Sequence, residues 1–222
     1  MTDGKTVAAN AEANLYGILA EVLAFPNKEL ANVVESGLLQ MTVDLVSRDF
    51  PCEVNLPLSA LGPAGFSPTV LEAEYIRLFD VPDRAPTPLY TGVYASRRRD
   101  AMEELLRIYR HFGVTVNGDS HDLPDFVPTV LEFLQFLAQG MALTMDSARE
   151  PRERAMADVL ERHLCPWAAQ TSVRLEKREA LPFYRALVDA VDALGSARLR
   201  QLRGRHPSTS SNLVTAAYRP SR

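Results

Sequence analysis

Asp125 follows His121 and precedes Glu132 in the run HDLPDFVPTVLEF, and His111 lies a little further back. A carboxylate beside an imidazole is the least apparatus that general acid–base catalysis needs. On that reading the chain is a small helical hydrolase or transferase, with Asp125 as its acid and a nearby histidine as partner. The role requires a polar pocket in which the two meet and the carboxylate pKa rises. A second reading makes Asp125 the N-cap of a helix, with Pro128 in a first turn that does not need its N–H. Such a cap contributes about 1 kcal/mol. Nothing local supplies a catalytic partner, so the cap is the preferred reading, and it leaves Asp125 able to face a ligand as well.

The other reactive groupings are sparse. His163 and Cys165 form an HxC pair, but a metal site needs three or four ligands at suitable spacing. The chain has no GxSxG, HExxH, P-loop or GxGxxG. The run Arg97-Arg98-Arg99 reads as a solvated first turn whose charge opposes the helix dipole, or as a phosphate contact. We therefore expect no enzyme, no metal and no cofactor. The stretch from Phe79 to Tyr94 is more suggestive. It carries Leu89, Tyr90 and Tyr94 on a backbone stiffened by Pro82, Pro86 and Pro88. Rigid aromatics on a fixed loop make a peptide-docking surface, unless they fold inward to close the core.

The elements that must position these residues are helices. Leu15, Ile18, Leu19, Val22 and Leu23 follow helical spacing up to Pro26. Asn27 can cap a second helix, with Leu30, Val33, Val34, Leu38, Met41 and Leu45 on its apolar face and Gly37 tolerated inside it. A Pro- and Gly-rich loop from Pro51 to Pro68 has room for one helical turn. Ser67-Pro68 then starts TVLEAEYIRLF. SRRRDAMEELLRIYRHFG ends at Gly113. Val127, Val130, Leu131, Phe133, Leu134, Phe136 and Leu137 cover most of the next helix, which places it at the centre of a bundle. Pro151 opens a helix to about Trp167, and a last one covers Gln170 to Leu194 and stops at Gly195. No segment alternates like a strand. The expectation is an all-α, single-domain bundle of about seven helices over residues 1–197, followed by a basic, disordered tail over 198–222.

Composition narrows the class. The 222 residues are 46% hydrophobic and carry a net charge of −4, which argues against nucleic acid as partner of the whole chain. Six of the 24 basic residues (Arg198, Arg200, Arg203, Arg205, Arg219 and Arg222) lie beyond Ser196, where there are no acids. The remaining 18 face 28 acids, a net of −10 on residues 1–197. An acidic body suits a basic peptide. Cys52 and Cys165 form no CxxC, which fits a reducing compartment. The N-terminus lacks the pattern of a signal peptide, and no apolar run is long enough to cross a membrane. A cytoplasmic location is expected.

Three segments, in this order, resemble the TorD/DmsD/NarJ family of redox-enzyme maturation chaperones. They are EYIRLFDVPDRAPTPLYTGVY (Glu74 to Tyr94), LPDFVPTVLEFLQFLA (Leu123 to Ala138) and LERHLCPWAAQTSVRLEKREALPFYRALVDAVDAL (Leu160 to Leu194). The resemblance spans most of Leu15 to Leu194. It implies a TorD-like all-helical fold. It also implies a cytoplasmic chaperone that binds the N-terminal, often twin-arginine, segment of an apo-molybdoenzyme catalytic subunit until the molybdenum cofactor is inserted, before export. The implied peptide surface runs from Leu78 and Phe79, through Pro86, Pro88, Tyr90 and Tyr94, to Asp125 and Phe126. Many members have His where this chain has Phe126, which removes any imidazole contact there and keeps an apolar one. The resemblance does not name the client, and it allows a monomer or a domain-swapped dimer.

Overall fold

Caps, prolines and glycines divide the chain into short helices wrapped around one apolar helix. The computed structural model describes residues 2–80, 85–115, 123–144 and 146–205. Within them run α1 (Thr2–Leu23), α2 (Lys28–Glu35), α3 (Leu38–Ser47), α4 (Pro68–Phe79), α5 (Arg98–His111), α6 (Val127–Leu143), α7 (Asp146–Val159), α8 (Cys165–Lys177) and α9 (Pro182–Arg205). Among the described residues there is no β-strand, only an isolated bridge between Tyr90 and Phe126. The all-α expectation holds. His121 and Pro82, both weighed in the sequence, lie outside the described residues.

The expected caps form. Asn27 accepts from the Leu30 N–H at 2.8 Å, and Ser67 accepts from the Val70 N–H ahead of Pro68. α6 is the central helix. Val127, Val130, Leu131, Leu134, Leu137 and Ala138 are all buried, as a helix apolar on nearly every side requires. α1 lies along it. Their contact is close at Gly17, where a Cβ would stand 2.6 Å from Gln135 Nε2. α8 and α9 pack together, with Trp167, Phe183, Tyr184 and Leu187 buried.

The structure differs from the expectation in three places. Gly37 ends α2, with φ 75° at that residue, so the helix does not run through it. The turn rotates α3, which buries Leu39 and Val43 and leaves Leu38, Met41 and Leu45 largely exposed. These three therefore do not continue the apolar face of α2.

The second difference lies between α7 and α9. α7 contains Pro151 and passes through a π-helical turn, Leu160–Leu164, into α8. Pro166 has no N–H to bond the carbonyl of Arg162, and its ring crowds that turn, which a widened turn accommodates. The expected single helix from Gln170 to Leu194 is broken after Lys177, where Glu179 takes a φ of 50°.

The third concerns the boundary expected at residue 198. α9 passes Gly195 and continues to Arg205, so residues 198–205 belong to the helical body. Apolar periodicity fades there, but ion pairs replace it. The buried Arg198 meets the buried Glu12 of α1 at 2.7 Å. Arg205 meets Glu153 at 3.1 Å, and Arg203 pairs with Glu161 and Asp158 of the adjoining segment. Gly195 serves close packing, because a Cβ there would approach Cys165 Sγ to 3.1 Å. The remainder of the expected tail, 206–222, lies outside the described residues.

Candidate functional site

The three segments that carry the family resemblance meet at one place. The loop PTPLYTGVY (residues 86–94) has two prolines, which lack an N–H and stiffen its start. Its carbonyls and side chains do much of the anchoring. Thr87 donates from both its N–H and its hydroxyl to the Leu78 carbonyl, at 3.1 and 2.8 Å. The Trp167 Nε1–H donates to the Pro88 carbonyl at 3.0 Å, and the Val127 N–H to the Leu89 carbonyl at 2.8 Å. The Thr91 N–H donates to the Asp125 carbonyl at 2.8 Å. The Thr171 hydroxyl donates to Tyr94 Oη at 3.1 Å. α4, α6 and α8 thus hold the segment from several sides, beyond the single 3-10 turn Thr91–Tyr94 that it forms within itself.

Asp125 sits at the centre of this arrangement and does not cap α6. The N-cap position belongs to Phe126, whose side chain makes no cap bond. The Asp125 side chain is fully buried and turns towards the loop. Its Oδ2 accepts the Gly92 N–H at 3.1 Å and lies 3.5 Å from Arg98 Nε. Burial pushes its pKa above the usual carboxylate range, while Arg98 and the Gly92 N–H pull it back down. No imidazole hydrogen-bonds it among the described residues. His111 instead packs edge-on against Phe112. The carboxylate therefore faces a guanidinium and a backbone N–H, an arrangement for holding a cation in place. Among the described residues, no three His, Cys, Asp or Glu side chains converge in a way that would hold a metal.

The predicted site residues separate into two groups. Leu78 and Phe79 are buried in the core, where Phe79 packs its ring against Tyr75 and Tyr184. They support the loop from beneath and present no surface to a peptide. Asp125 is likewise buried, and in the free chain it meets the chain's own Arg98. Pro86, Pro88, Tyr90, Tyr94 and Phe126 are half-buried and keep an outer face. Tyr90 and Phe126 stand side by side, with ring centroids 5.4 Å apart.

Phe126 also lines a groove that the sequence reading did not find. This groove, about 650 Å³, runs between α1, the end of α5 and α6. Its walls include Ala20, Ala24, Tyr109, Val114, Phe133 and Phe136, and two carboxylates, Glu21 and Glu132, line it as well. Tyr109 is fixed there by donating to the Pro124 carbonyl at 3.0 Å. Glu21 gave no signal in sequence because its partner surface lies on a helix more than a hundred residues away. Arg98 was read only as part of a solvated first turn or a phosphate contact, and Gly92 not at all, since only the fold brings them to Asp125.

Replacing Asp125 with asparagine separates stability from binding. The folded-state pKa of Asp125 is raised, so its protonated form stabilises the fold. That contribution is complete below the unfolded pKa of about 3.9 and is lost as pH rises through the folded pKa. The parent is therefore expected to lose stability relative to Asp125→Asn as pH rises from 4 to 7. Thermal melts across that range check this.

Comparison with known proteins agrees with this architecture. The family described as the nitrate reductase delta subunit matches residues 59–172, half of the chain and the region that builds the loop, Asp125 and Trp167. The chain belongs to that family. Among curated proteins it is 28% identical over 206 residues to the perchlorate reductase assembly chaperone protein of Dechloromonas aromatica, covering 86% of this chain and 90% of the relative. It is 40% identical over 114 residues to the chlorate reductase assembly chaperone protein of Ideonella dechloratans, covering 49% of this chain and 59% of that one. It is 36% identical over 115 residues to the selenate reductase assembly chaperone protein of Thauera selenatis, covering 50% and 60%. The chain thus spans about 60% of the length of these last two relatives.

Proposed function

We propose that this protein is a cytoplasmic assembly chaperone for the catalytic subunit of a molybdenum-containing reductase. It holds the N-terminal segment of the apo-subunit, a twin-arginine-type leader, while the cofactor is inserted and before export. The observation that carries the reading is the groove between α1 and α6. Its apolar walls suit the hydrophobic run of a leader, and Glu21 and Glu132 suit a basic residue beside that run. Its end at Phe126 joins the aromatic loop, so Tyr90 and Phe126 extend the contact. Membership of a family with three reductase assembly chaperones among the relatives supports the same reading. No helix among the described residues is long and apolar enough to cross a membrane.

The chemistry asked of the site is recognition, with no covalent step. Apolar burial supplies affinity, and the carboxylates choose the charge of the segment and speed its encounter. Glu21→Gln with Glu132→Gln is therefore expected to weaken binding of a basic leader by about tenfold at low salt, and by much less at high salt, as screening predicts. Titrations at two ionic strengths test this. An affinity that is unchanged at low salt would remove the two carboxylates from the site.

A further inference from the structure

The loop that carries Tyr90 and Tyr94 already holds two guanidinium groups, both from this chain. The Arg98 guanidinium lies 5.1 Å from the centre of the Tyr90 ring, and that of Arg174 lies 4.7 Å from the Tyr94 ring. They differ in what else they meet. Arg174 reaches a carbonyl, that of Pro86, at 3.4 Å. Arg98 reaches the carboxylate of Asp125, a fully buried side chain whose Oδ1 has no hydrogen-bond partner among the described residues.

Arg98 is poorly placed by its own helix. It is the first residue of α5, where the helix dipole disfavours a cation, and Arg97 ahead of it supplies no side-chain cap. Arg97 and Arg99 add like charge on either side. What holds Arg98 is the tyrosine face and the buried carboxylate, and its side chain still keeps 43% exposure to water. Gly92 completes the arrangement. A Cβ at that position would stand 2.7 Å from Asp125 Oδ2 and 3.0 Å from Arg98 Cγ, so glycine keeps the space above the carboxylate open. A planar guanidinium can stack on the ring and meet the carboxylate at once, which a lysine ammonium does less well.

We infer that Tyr90, Gly92 and Asp125 form a seat for a guanidinium group, that Arg98 fills it in the free chain, and that an arginine of a bound partner takes the seat by displacing Arg98. The inference rests on the proposed chaperone reading for the identity of the partner, and it adds the ligand chemistry and an internal competitor. Tyr90 packs on Phe126, which lines the groove, so the seat adjoins one end of the proposed binding surface. Displacement leaves Arg98 in water at the helix start. An arginine that wins the seat must therefore outcompete an intramolecular one, which lowers apparent affinity by the fraction of time the seat is filled.

The test uses L-arginine amide as the probe, titrated into the ¹⁵N-labelled full chain and read at the Gly92 amide. Arg98→Gln is expected to bind it about tenfold more tightly than the parent chain, and lysine amide is expected to gain far less. Arg99→Gln removes the same charge one residue away, where Arg99 pairs with the exposed Glu103, and should change affinity less than twofold. Adding Asp125→Asn to Arg98→Gln should abolish the gain. Thermal melts confirm that each variant folds, and Arg98→Lys offers a second, charge-conserving variant, expected to fall between parent and Arg98→Gln. An equal gain in Arg99→Gln, or none in Arg98→Gln and Arg98→Lys, would overturn the seat. Leader binding separates the two claims. A leader that binds the parent chain but gains nothing from Arg98→Gln contradicts the seat alone, whereas arginine amide behaving as expected with no leader bound contradicts the chaperone reading alone.

Discussion

Trp167→Ala is expected to lower stability by about 3–5 kcal/mol and to weaken leader binding together with it. The indole is completely buried, and removing so large a side chain leaves a cavity as well as losing apolar contact. The loss goes beyond packing. The indole N–H ties α8 to the Pro88 carbonyl, one of several hydrogen bonds that fix residues 86–94. Without it, residues 86–94 lose one of their fixed points, and Tyr90 no longer has a set position beside Phe126. Trp167→Phe isolates most of this part of the effect, because it fills most of the volume and removes the donor. We expect Trp167→Phe to cost about 1–2 kcal/mol and still to reduce leader affinity severalfold. Urea unfolding combined with leader titration of both variants checks this. Normal affinity in Trp167→Phe would show that the tie does not position the loop.

Arg198→Ala is expected to cost about 3–5 kcal/mol, because it leaves Glu12 charged, buried and unpaired in the interface between α1 and α9. The defect depends on pH in a definite direction. Burial already raises the Glu12 pKa above the usual carboxylate range, with Arg198 pulling it down. Removing Arg198 raises it further. A raised folded pKa gives stability that is present in full below the unfolded value, about 4.3, and lost as pH rises through the folded one. Arg198→Ala should therefore be closest to the parent near pH 5 and furthest from it near pH 8. The double variant Glu12→Gln, Arg198→Ala should recover part of the loss and lose most of the pH dependence. Denaturant midpoints at the two pH values decide it.

These two effects bear on what the sequence makes legible. The starts of α2 and α4 followed from local patterns, because Asn27, Ser67 and Pro68 act within a few residues, whereas the breaks at Gly37 and after Lys177 did not. The centrality of α6 was readable for the same reason, since no other arrangement hides so many apolar faces. The end of the domain was not. Arg198 reads as a tail residue until Glu12, at the other end of the chain, is brought beside it. Asp125 shows the same limit at the site. Its sequence context, ahead of Val127 and Pro128, is that of a cap, yet its best donors are Gly92 and Arg98 in another segment. Leu78 and Phe79 were drawn into the peptide surface by resemblance alone, and packing against Tyr75 and Tyr184 places Phe79 beneath it. The groove between α1 and α6 lay outside any local pattern, since its two carboxylates come from helices distant in sequence.

The most direct test is calorimetry of the full chain with the N-terminal segment of a molybdenum reductase catalytic subunit from the same organism, and with that apo-subunit itself. The predicted result is binding at a single site with a negative heat-capacity change, the mark of apolar burial, and a large loss of affinity on Phe126→Glu. Absence of binding by both the segment and the apo-subunit would contradict the account.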